Sequence, residues 1–159
     1  MSTMQYDVKS THRDESGVMV PYRVRLKGAV IQPQTGAEAT STFVDNTSIA
    51  GTYTRSTTTA TITAVNHELD AGDRVYLDWD LADKSYTVLT VANANTFTVA
   101  VADSGASSGS VTVYNFVLFE IDTDIQVVTN VVIPGEGILA RVGIRVFLAN
   151  NCNASIFYG

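Results

Sequence analysis

Histidines, a cysteine and closely spaced carboxylates are the side chains in this sequence whose types could run a reaction. The imidazoles are His12 and His67, and neither is accompanied by the partners a nucleophile needs, since there is no Gly-x-Ser-x-Gly elbow and no Cys-His signature. His12 lies in a charged N-terminal segment, and His67 stands just before Leu69 and Gly72-Asp73, where an imidazole braces a tight turn through a hydrogen bond. Asp78 and Asp80 flank Trp79, which on a strand sets both carboxylates on one face, as in a glycosidase pair or a calcium site. A calcium loop would read Asp-x-Asp-x-Asp-Gly ahead of a bidentate Glu, whereas Leu81, Ala82 and Asp83 follow here without the glycine. A solvated acidic edge that resists sheet-to-sheet pairing accounts for the same residues. Trp79 with Tyr76 and Tyr86 offers a sugar-stacking platform, although a lone Trp among strands also serves to fill a core. The expectation is an outward acidic and aromatic surface at Asp78, Trp79 and Asp80, with no catalytic residue. Cys152 has no second cysteine to pair with, so neither a disulfide nor a thiolate metal site is implied, and no metal or cofactor is expected. Pro134-Gly135-Glu136-Gly137 lies between two strand-like runs with no helix to follow, which makes it a tight connection and not a phosphate cradle.

The elements that carry these residues are strands. Apolar residues alternate with period two in runs rich in Val, Ile, Thr, Tyr and Phe, and no window of a dozen residues keeps a helical stripe. Ile138 to Leu148 is the clearest such run, with Ile138, Ala140, Val142, Ile144, Val146 and Leu148 on one face. Its other face carries Leu139, Arg141, Gly143, Arg145 and Phe147, more apolar than a solvated face requires and therefore a candidate partner surface. Tyr22 to Lys27 puts Tyr22, Val24 and Leu26 inward and makes Arg23, Arg25 and Lys27 a basic stripe. Further strands are expected over Thr59–Val65, Arg74–Trp79, Tyr86–Val91, Thr96–Val101, Val111–Ile121, Ile125–Ile133 and Ala154–Tyr158. Short strands at regular spacing favour a sandwich or a barrel.

The 159 residues, 45% hydrophobic and 16% charged, hold enough apolar material for one ordinary domain or two small ones. A formal charge of −6 argues against a surface built to neutralise a phosphate backbone, so nucleic acid is excluded as the principal partner. The absence of a basic, apolar leader and of a long apolar run predicts neither a signal peptide nor a membrane span. Asp45–Arg55 and Asp103–Ser110 are small and polar, and read as flexible joints. They divide the chain into a discontinuous β-sandwich, residues 1–47 plus 114–159, and an inserted small β-barrel module, residues 48–113. The segment before residue 30 is comparatively basic and His67–Tyr86 is acidic, a polarity that suits a base docked on a negative support; ordinary solvated faces give the same pattern.

Two sets of residues carry a resemblance. Tyr6-Asp7-Val8-Lys9-Ser10, Arg23-Val24-Arg25-Leu26-Lys27-Gly28, Ile133-Pro134-Gly135-Glu136-Gly137-Ile138-Leu139 and Ile156-Phe157-Tyr158-Gly159 resemble small virion structural proteins of tailed phages, especially of marine cyanobacterial phages. In such proteins the equivalent of Phe43-Val44-Asp45 runs directly on to that of Phe119-Glu120-Ile121-Asp122-Thr123. The segment between, with Thr61–Val75, Tyr86-Thr87-Val88 and Asn95-Thr96-Phe97-Thr98-Val99, is similar to small β modules of phage tail and fibre proteins. The resemblance implies a jelly-roll-like sandwich with an inserted module, non-enzymatic, on the outer capsid surface of a phage particle. It implies assembly on the particle in many copies. With the basic base, the acidic insert and the partly apolar face of Ile138–Leu148, the expectation is decoration of the major capsid protein lattice by a homo-oligomer, a trimer being favoured by lattice symmetry, with docking through faces near Arg23, Arg25, Lys27, Arg141 and Arg145. The alternative it implies is a tail or head fibre module that recognises host-surface glycans.

Overall fold

The computed structural model describes residues 8–33, 39–105, 107–123, 127–149 and 152–159. Tyr6, Asp7, Ile125 and Gln126, to which the sequence assigned motif or strand positions, lie outside them. The regular elements of the described residues are all strands. They run β1 (Lys9–Arg13), β2 (Gly17–Val20), β3 (Val24–Pro33), β4 (Ala39–Asp45), β5 (Ile49–Ser56), β6 (Thr59–Ala64), β7 (Arg74–Trp79) and β8 (Lys84–Asn93). There follow β9 (Thr96–Ala100), β10 (Ser108–Tyr114), β11 (Val117–Thr123), β12 (Thr129–Val132), β13 (Ile138–Ala140), β14 (Ile144–Phe147) and β15 (Cys152–Tyr158). The protein is thus all-β, with a closed barrel formed by the middle of the chain and further sheets formed by the segments that flank it.

Two compact units result, Met1–Asn46 with Leu118–Gly159, and Thr47–Val117. In the first, one sheet has the order β1-β15-β3-β12 with β13 also paired to β3, and a second has the order β11-β4-β14-β2. Alternation directs Leu26, Ala29 and Ile31 of β3 and Ala154 and Ile156 of β15 into the same core as Phe43, Ile144 and Val146 of the second sheet. The β3 pattern changes phase at Gly28, opposite the irregularity between Phe157 and Tyr158 on β15.

The run Ile138–Leu148 is not one strand. It is β13 and β14, the first on β3 and the second between β4 and β2, joined by a turn at Arg141–Gly143 that leaves Val142 49% exposed. The cause sits elsewhere in the chain. Asp45 is buried, and its carboxylate accepts the backbone N–H groups of Arg141 and Val142, while Gly143 O accepts the N–H of Asn46. Gly143 has φ +153°, and a Cβ at this position would collide with Val20 O. Period two alone cannot reveal a corner whose polar groups are satisfied by a residue this distant in sequence.

The second unit closes in the order β10-β5-β6-β9-β8-β7, which leaves no free sheet edge. Tyr53, Ile62, Val75, Leu77, Trp79, Val88, Phe97, Val99, Val111 and Val113 fill its interior. The expected joints prove to be barrel wall: Ile49–Ser56 is β5, and Ser108 begins β10. Thr, Ser and Gly gave these segments the composition of linkers, yet Arg55 holds them together by donating to Asp103 Oδ1 at 2.7 Å, Thr57 O at 2.9 Å and Gly105 O at 2.9 Å. The expected strand Val111–Ile121 is likewise broken between Tyr114 and Val117, where the Asn115 amide turns aside to donate to His67 O at 2.9 Å.

Candidate functional site

The five cations assigned to docking do not share one surface. Arg25 and Lys27 alternate with the buried Val24 and Leu26, so they stand on the outer face of the β3 sheet, and Arg23 is exposed just ahead of them. Arg145 alternates with the buried Ile144 and Val146, and therefore stands on the outer face of the other sheet, across the core. Arg141 is exposed in the corner between the two. Several of these charges are also engaged. Arg25 pairs with Glu136 at 3.3 Å, and Lys27 Nζ donates to Glu136 O at 2.9 Å, so the β12–β13 connection takes up the basic stripe. That connection is the tight turn the sequence predicts, and Gly137 adopts φ +78° where a Cβ would strike Leu26 O. Arg145 Nε donates to Asn46 Oδ1 at 3.2 Å, with its guanidinium 5.9 Å from the Phe147 ring centroid.

The outer face of the β3 sheet also carries apolar side chains, set among Arg25, Lys27, Asn130 and Ser155. The register sets Val132, Gly28 and Phe157 in one row, Val30 in the next and Leu139 beside Arg25. Val132 is 77% exposed and Phe157 37%, with the buried Gly28, which has no side chain, between them. The sequence signal for this surface was the alternation of Cys152–Tyr158, in which Phe157 is the one large residue out of phase with the buried set. The neighbouring Arg23, Arg25 and Lys27 are the stronger signal in the sequence, because Phe157 lies far from them along the chain and only the β3–β15 register brings it beside them.

In the barrel, Trp79 is not an outward surface. It is 7% exposed, meets Tyr53 and Tyr86 edge to face, and donates its indole N–H to Ala82 O at 2.9 Å. Edge-on contacts with both neighbours and a satisfied N–H leave no ring face for a sugar. Both carboxylates are exposed. Asp78 is exposed on the barrel wall opposite Thr112, while Asp80 accepts the Tyr53 hydroxyl at 2.5 Å at the barrel end. Burial first, and the Asp80 carboxylate next, push the Tyr53 phenol up to about 12.

The opposite end of the barrel holds the histidine motif. His67 is 1% exposed, Leu69 N–H donates to its Nδ1 at 3.1 Å, and Nε2 lies 3.0 Å from Asn93 O. Because Nδ1 must accept and a carbonyl can only accept, Nε2 carries the proton and the ring is neutral. Asp73 Oδ2 accepts the Asp70 N–H at 2.8 Å, and Leu69 enters the core. Every polar member of His-x-Leu-x-x-Gly-Asp is thereby occupied in shaping a turn. Beside it lies a depression of about 500 Å³ lined by Asn66, Glu68, Asp70, Val91 and Asn93 among others. No group of three or more His, Cys, Asp or Glu among the described residues is placed to hold a metal ion.

No family model matches this chain, and no curated protein matches it. Among solved structures it is similar to the phage phi92 endosialidase, with 22% identity and a TM-score of 0.31 over 79% of this chain and 20% of that one. The chain therefore spans about a fifth of that protein's length.

Proposed function

We propose that this is a non-enzymatic structural protein of a phage particle, whose first unit docks on the repeated surface of the major capsid protein as a decoration protein. The observation that supports the reading best is the outer face of the β3 sheet, where Val132 and Phe157 are exposed and Val30 and Leu139 half-buried, with Arg25, Lys27, Asn130 and Ser155 among them. A two-sheet sandwich buries one face of each sheet and has no internal use for such a surface on the other. The motifs that resemble tailed-phage virion proteins lie in this same unit. With Arg25 and Lys27 already turned to Glu136 and its neighbours, the docking energy comes from apolar area more than from charge, so added salt should weaken it little.

Cosedimentation with purified heads and purified tails, at low and high salt, tests this. Saturable binding to heads that survives high salt and is lost in Phe157→Asp is the expected outcome. Binding to tails alone would move the protein to a tail or fibre, and binding to neither would end the reading. The host-glycan alternative loses Trp79 as its platform and would have to use the depression beside His67, where Asn66, Glu68, Asp70 and Asn93 offer polar groups over Val91. Glycan binding abolished by Asn93→Ala, in a protein without affinity for heads, would favour that alternative.

A further inference from the structure

Among the described residues, β12 is a sheet edge of the first unit without the usual guards. β12 is paired to β3 on one side and, among the described residues, to nothing on the other. Ile133 N–H donates to Lys27 O at 2.9 Å, so Val131 and Ile133 address β3, and by alternation the N–H and C=O of Asn130 and Val132 point away from it. From Val127 to Ile133 the sequence is Val-Val-Thr-Asn-Val-Val-Ile, with no charge, proline or glycine. Val127, Val128 and Val132 are 51%, 54% and 77% exposed. The other edges of the unit differ, and β13, which continues this side of β3, is only three residues long. β1 carries Lys9, His12 and Arg13, β11 carries Glu120 and Asp122, and β2 lies against β1. Charges of that kind are how native sheets block pairing with another chain, and β12 has none.

We propose that this edge binds a second copy of the same chain, by antiparallel pairing of β12 with β12 about a two-fold axis through Asn130. The sequence itself selects that occupant. An isologous strand pair requires a strand that reads alike in both directions from its centre. Here Val128 faces Val132, Val127 faces Ile133 and Thr129 faces Val131, so each cross-strand pair is β-branched and none sets like charges together. Asn130 meets its own copy and can exchange both backbone hydrogen bonds with it. The pairing closes at two copies, because the sheet's far edge is the charged β1. It is independent of the shell reading, but would set two copies of the apolar face side by side on one continuous sheet.

The register makes a charge-rescue experiment decisive. Asn130 is exposed, so Asn130→Asp and Asn130→Lys alter little within one chain, yet each sets like charges opposite one another across the axis. In sedimentation equilibrium across about 1–500 µM chain, the native protein is expected to dimerise. Each variant alone should dimerise with a dissociation constant at least about tenfold higher, and a mixture of the two should regain the dimer. Val132→Lys, at a 77% exposed position, should also weaken it. A monomeric native protein over that range, or variants that dimerise as the native protein does, or a mixture that fails to recover, would overturn the proposal.

Discussion

The indole of Trp79 donates its one polar hydrogen to Ala82 O in the exposed loop that follows β7, and its ring packs on both Tyr53 and Tyr86. Trp79→Ala should therefore cost about 3–5 kcal/mol of barrel stability, read as a fall in the urea midpoint, where an exposed binding platform would cost almost nothing. Sequence reading and structure part company here for a definite reason. Alternation placed Trp79 on the opposite side from Asp78 and Asp80, which was the signal for the interior, but three chemically suggestive residues in a row were read as one surface. His67 went better, since its turn-bracing bond to Leu69 is local and the motif spells it out. The Tyr53 phenol gives a pH prediction. Its folded value of about 12 lies above the ordinary 10, so its contribution is intact below pH 10 and is lost as pH rises through about 12. Tyr76 and Tyr86 are raised in the same direction, chiefly by burial, and Tyr158 chiefly by its hydrogen bond with Tyr22. Urea midpoints measured from pH 8 upward should hold to about pH 10 and then fall, and Tyr53→Phe should flatten the decline.

Among the elements, the strands that the sequence located to within a residue or two are those whose alternation is complete and local, such as Arg74–Trp79 and Thr96–Ala100. The ones it misjudged are corners. The Arg141–Gly143 turn depends on the buried carboxylate of Asp45 and on the missing side chain of Gly143, and neither leaves a mark in the pattern of Ile138–Leu148 itself. Gly143→Ala should destabilise the first unit by at least about 2 kcal/mol, through the collision with Val20 O, while leaving the barrel unchanged. Tryptophan emission separates the two effects, because Trp79 sits in the barrel: urea unfolding followed by far-ultraviolet dichroism should shift, and the Trp79 transition should not. β5 was hidden in a similar way, since its inward residues Ile49, Gly51, Tyr53 and Arg55 are not uniformly apolar and one of its two partners, β10, lies far along the chain.

At the scale of the molecule, each unit has its own core, and each brings its chain breaks together. In the barrel Ile49 pairs with Val113, so the ends of Thr47–Val117 are adjacent. In the first unit Thr42 bonds Glu120 at 3.3 Å and Thr40 bonds Asp122 at 2.7 Å, which makes β4 and β11 neighbours where the chain leaves and returns. Residues 47–117 expressed alone should unfold cooperatively with the barrel's native dichroism, a result expected of a closed sheet that lacks no strand. A disordered fragment would show that the barrel depends on the rest of the chain. The whole-molecule claim is that the first unit anchors the protein to a phage shell through the apolar face around Phe157 and Val132. Its most direct test is quantitative mass spectrometry of gradient-purified particles, separated into heads and tails. The account predicts this chain in the head fraction in fixed ratio to the major capsid protein, with Phe157→Asp particles depleted of it. Particles that carry none of it, with the protein found wholly in the unassembled fraction, would contradict the account.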